Sequence, residues 1–82
     1  MQTKTLIELV GWYGVVVILI AYFLVSFNFI EANTLSYQLM NLTGAMGILA
    51  VSWYKRVYQT VVTNTFWIAI AIIALLQIIP RI

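Results

Sequence analysis

Three apolar runs, over about residues 6–27, 35–54 and 57–79, are each long enough to cross the hydrocarbon core of a bilayer as a helix, which takes roughly 20 residues. Only short polar breaks separate them. The first break, "NFIEANT", holds Glu31 and two asparagines, with Asn33 or Thr34 placed to cap the second helix. The second centres on Lys55-Arg56 without Gly or Pro, so it reads as a tight turn that makes helices two and three antiparallel neighbours. Pro80 ends the third helix because it cannot continue the backbone ladder.

Composition points the same way. The chain is 65% hydrophobic and 7% charged, against roughly 25% charged residues in soluble domains. A soluble fold of 82 residues could not hide so much apolar surface. The expected fold class is therefore an all-α membrane protein, one domain over residues 1–82, with three transmembrane helices in a compact bundle. The run from Leu9 to Phe27 exceeds the roughly 7–15 residues of a signal-peptide core and no small-x-small site follows, so it reads as a span and not a cleaved leader.

Orientation follows from the basic residues. With three spans, Lys4, Lys55 and Arg56 share one side and Arg81 stands alone on the other. The positive-inside rule places the N-terminus in the cytoplasm and the C-terminus outside, in a bacterial inner membrane. Trp12, Tyr13, Trp53, Tyr54 and Tyr58 fall near the cytoplasmic interface, as an aromatic belt should. Glu8, one turn after Lys4, has the spacing of an ion pair within a helix.

Between lipid-bathed helices, small residues and interhelical hydrogen bonds drive association. At 100° per residue, Tyr37, Gln38, Asn41, Gly44, Ala45, Ile48 and Ser52 share one face of the second helix, opposite Leu39, Leu42, Met46, Leu49 and Trp53. Gly47 belongs to neither. The first helix repeats the device with Gly11, Gly14, Ile18, Ala21, Val25 and Asn28, and the third with Thr60, Asn64, Trp67, Ala71, Ala74 and Ile78. Gly11, Gly14, Ala21, Gly44, Ala45, Ala71 and Ala74 are the expected helix-packing positions.

Four residues are candidates for a substrate path. Asn41 and Asn64 read either as amides bonded across to a neighbouring helix or as the lining of a polar cavity. Trp67, on the face of Asn64, reads as core filling or as a stacking platform. Tyr22, at mid-membrane, needs a partner for its hydroxyl, which a neighbouring amide could supply. Gln38 is expected at a solvated interface.

The chain holds no Cys and no His, and no acidic residue falls in the middle of a span. No nucleophile, base or metal site suggests itself, so neither an enzyme nor a cofactor is expected. Four scattered basic residues make no nucleic-acid patch.

The pattern A-Y-F-L (Ala21 to Leu24), Y-Q-L-x-N-L-x-G-A (Tyr37 to Ala45) and N-x-x-W (Asn64 to Trp67) resembles an uncharacterised family of small bacterial three-span membrane proteins. That resemblance brings a fold and no activity. More distantly, the layout is similar to one repeat of the PQ-loop superfamily and its SemiSWEET transporters, three-span chains that dimerise around a translocation path. Ser36, Gly44, Trp53-Tyr54 and Asn64 occupy comparable places, and the resemblance implies a substrate-facing role for Asn64. The Pro-Gln hinge of that superfamily would fall at Ala21-Tyr22, so this chain lacks it, and charge counting orients the chain the opposite way. Two functions follow as expectations: a transporter-like homo-oligomer around a small polar pathway, or an accessory subunit of a larger membrane complex.

Overall fold

The computed structural model describes residues 2–81. Three α-helices, α1 (Thr3–Ser26), α2 (Leu35–Lys55) and α3 (Tyr58–Ile78), are followed by a 3₁₀ turn, Ile79–Arg81, that contains Pro80. The all-α, three-helix expectation is met, and no strand occurs among the described residues. Thr3–Ser26 and Tyr58–Arg81 are long and apolar enough to cross a membrane; α2, which carries Gln38, Asn41, Thr43 and Ser52, falls short of that hydropathy.

Both connections use the left-handed region. Asn28 (φ 63°) closes α1, where the Phe29 amide donates to the Leu24 carbonyl at 2.8 Å and the Asn28 amide to Val25 at 3.1 Å. Asparagine tolerates this geometry better than most residues. Phe29 then folds back on Phe23, with ring centroids 6.1 Å apart. Asn28 is thus an exposed cap beyond the helix and takes no part in the packing face of α1. Arg56 (φ 60°) makes the second turn, with the Val57 amide bonded to the Ser52 carbonyl at 2.9 Å. A turn without glycine is possible because Arg56 accepts the left-handed conformation. Thr34 caps α2, accepting from the Tyr37 amide at 3.3 Å while its hydroxyl donates to the Glu31 carbonyl.

The arrangement is a V with α2 at its apex: α2 packs on α1 and on α3, while α1 and α3 barely meet. The two contacts are chemically different. All four glycines of the chain lie at the α1–α2 contact. A Cβ at Gly14 would meet the Gly44 carbonyl oxygen, and one at Gly47 would lie 2.6 Å from the Val10 carbonyl oxygen. Gly47 therefore joins Gly44 in this contact, although it lies outside the face drawn from sequence. The reason is that α1 sits on the Gly44–Gly47–Val51 side of α2, which leaves the remainder of the small, polar face for α3.

That second contact is made by alanine and polar residues. Ala45 lies about 100° around α2 from Gly44, and Ala45 and Ala71 are both fully buried. With them are Asn64, Ser52 and Leu75, and Ala74 is half-buried. Ala21 is buried on α1.

Candidate functional site: a polar furrow beside the central helix

Because α1 and α3 diverge, one side of α2 is left as the floor of a furrow. Three concavities follow one another along α3. The first, about 260 Å³, lies among Glu8, Trp12, Ser52, Lys55 and Thr60. The second, also about 260 Å³, is lined by Tyr37, Gln38, Asn41, Trp67 and Ile70. The third, about 400 Å³, joins Asn33, Thr34 and Leu35 to Ala74, Gln77 and Arg81. Polar side chains thus recur along the furrow. A further hollow, about 560 Å³, lies elsewhere on α2 and is almost wholly apolar, with Met46, Leu49 and Trp53 among its walls.

The candidate path residues are placed unevenly. Asn41, half-buried, lies in the middle concavity, and Trp67 forms its wall. Trp67 is 47% exposed and so is not core filling. Asn64 is 8% exposed, but its Nδ2 donates to the Thr60 carbonyl of its own helix at 2.9 Å, not to a neighbouring helix. Tyr22 is 68% exposed and finds no hydrogen-bond partner among the described residues. It points away from the neighbouring helices because Ala21 takes the inward position beside it.

Gln38 departs furthest from expectation. It is 8% exposed, and its Nε2 donates to the Ala32 carbonyl at 2.8 Å, tying the first connection to α2. Its Oε1 is buried without a partner among the described residues. The opposite amide assignment would set two oxygens against each other, so the donor is fixed. No sequence signal separates this buried amide from a solvated one.

At the other end, Glu8 pairs with Lys55 and not with Lys4. A Lys placed before Glu on a helix is the weaker order for an ion pair, whereas α2 ends with Lys55 beside Glu8. Lys4 and Arg56 are exposed. One interhelical hydrogen bond escaped the sequence reading: the Tyr13 hydroxyl donates to Thr43 Oγ1 at 3.1 Å, linking α1 to α2. No group of His, Cys, Asp and Glu that could hold a metal ion occurs among the described residues.

No curated protein matches the chain, and no solved structure matches it. A family model does match residues 7–81, almost the entire chain. The chain belongs to that family, one of small, mostly helical proteins whose function is uncharacterised.

Proposed function

We propose that the chain is a three-span membrane protein that self-associates, with the furrow of one copy closed by another to make a small polar pathway. One observation carries this reading: polar side chains recur along the furrow from Ser52 through Asn41 and Gln38 to Gln77, beside an otherwise apolar exterior. A polar stripe facing lipid is costly, and in membrane bundles such residues face protein or water.

The position of α2 supports three spans. Its apolar character is the weakest of the three helices, yet it is covered from two sides, so Gln38, Ser52 and Gly44 are buried. The 21 residues of α2 give a helix of about 31 Å, close to the thickness of a bilayer core. In this reading the N-terminus and the Lys55-Arg56 turn lie in the bacterial cytoplasm, and Asn41, Gln38 and Trp67 line the path. No catalytic step is assigned.

The native chain has no cysteine, so single cysteines can report the arrangement in membranes. Asn41→Cys should crosslink to a second copy through a short bifunctional reagent, and Met46→Cys should not. Native mass spectrometry after mild solubilisation should give a homodimer. If Asn41→Cys instead captures a different membrane protein and no homodimer forms, the accessory-subunit reading replaces this one.

A further inference from the structure

Hydroxyls within the helices of this chain behave in two ways. Thr43, Thr63 and Thr65, all exposed, each donate to the carbonyl four residues back on their own helix, at 2.9, 3.0 and 2.7 Å. This is how a hydroxyl satisfies itself where no water is at hand. Ser52 does not: the residue is 6% exposed, yet its Oγ makes no hydrogen bond among the described residues and is not itself sealed off, so the hydroxyl stays reachable from the cleft it lines. It borders the first concavity of the furrow, opposite Thr60. An unpartnered hydroxyl that opens on a cleft is free to donate to, or accept from, a group bound there.

Next to Ser52 stand opposite charges on two walls, Glu8 from α1 and Lys55 from α2. A purely anionic ligand would meet the Glu8 carboxylate, and a purely cationic one would meet the Lys55 ammonium. A net-neutral group carrying both charges exchanges one ion pair for two. We propose that this cleft binds a primary ammonium–phosphate zwitterion. The ammonium sits on Glu8, and the phosphate lies between Lys55 and the hydroxyls of Ser52 and Thr60. A primary ammonium is preferred because its N–H groups make charge-assisted bonds to a carboxylate, which a quaternary ammonium cannot. Trp12 and Val15 offer an apolar wall to whatever the phosphate is esterified to.

The same chemistry occurs in a phospholipid headgroup and in free phosphoethanolamine. The inference takes from the proposed function only its membrane placement, which makes the headgroup the nearer source, and needs no pathway or dimer. In that placement Trp12, Tyr13, Trp53 and Tyr58 put the cleft at the level where headgroups lie.

The test uses delipidated full-length protein in detergent, with amide chemical shifts of Glu8, Ser52 and Lys55 as the readout. The probes are phosphatidylethanolamine, phosphatidylcholine and phosphatidylglycerol of equal short chains, and free phosphoethanolamine. Saturable shifts at these residues with the ethanolamine lipid, and weaker or none with the other two lipids, are expected. Ser52→Ala should weaken binding about tenfold through loss of one hydrogen bond to a charged group, with the remaining spectrum unchanged. A response to the free headgroup equal to that of the lipid would identify a soluble source of the same group. Equal responses to all three lipids without a response to phosphoethanolamine, or strongest binding of phosphatidylglycerol, would overturn the inference. So would unaltered affinity in Ser52→Ala. Recovery of the protein without membrane extraction would refute the membrane placement separately, and the titration with free phosphoethanolamine would still decide the zwitterion site.

Discussion

Gly14 of α1 and Gly44 of α2 bring two helix backbones into direct contact: a Cβ at Gly14 would lie 2.9 Å from the Ile48 amide nitrogen, and one at Gly44 would lie 3.1 Å from the Gly14 carbonyl oxygen. Between two backbones no rotamer change can make room. Association here therefore rests on close approach of the helices, as small-residue contacts in membranes do.

Gly14→Ala and Gly47→Ala should each destabilise the protein by about 1–3 kcal/mol, because overpacking forces the helices apart. Gly44→Leu should cost at least as much. Met46→Leu, at a half-exposed position and of similar volume, should be nearly silent. Thermal unfolding in one detergent ranks the four variants; equal midpoints would refute the glycine contact.

Arg56 holds φ 60° at the end of α2, a conformation that costs an L-residue roughly 1–2 kcal/mol and glycine almost nothing. Arg56→Gly should raise stability by about 1 kcal/mol, and Arg56→Ala should not. In the proposed membrane placement Arg56 is one of three basic residues on the cytoplasmic side, so the same variant carrying a C-terminal phosphatase fusion also tests that orientation.

Gln38→Glu tests the buried amide. An ionised carboxylate cannot donate to the Ala32 carbonyl, and burial disfavours its charge. The variant should be less stable than the parent at neutral pH by at least about 1 kcal/mol, through loss of the bond to the Ala32 carbonyl and burial of a charge. Equal stability of parent and variant in urea or thermal unfolding at neutral pH would contradict the burial of Gln38.

Asn64→Ala removes a hydrogen bond to the Thr60 carbonyl, an oxygen that remains in the backbone ladder of α3. No acceptor on another helix is orphaned, so the loss of stability should stay within about 1 kcal/mol. Asn41→Ala should be at least as mild. A loss of several kcal/mol at Asn64, measured by reversible unfolding, would indicate an interhelical role.

Local rules read from the sequence carried much of the architecture. Three apolar runs and the Thr34 cap gave three helices, because helix length, capping and the backbone limits of proline act over a few neighbouring residues. Small residues at three- and four-residue steps marked Gly11, Gly14, Gly44, Ala45 and Ala71 as surfaces of close approach, and all five are buried. What periodicity could not supply was which neighbour each face would meet. A helical wheel shows one small, polar arc on α2; only the placement of two partners divided it, giving Gly44 and Gly47 to α1 and Ala45 and Ser52 to the α3 side. That division decided the rest. It set Lys55 beside Glu8 in place of Lys4, left Trp67 at a furrow wall, turned Tyr22 outward and buried Gln38 against the first connection. These are contacts between residues far apart in the chain. They depend on the angle between α1 and α3 about α2, a quantity set jointly by three helices and written in none of them alone.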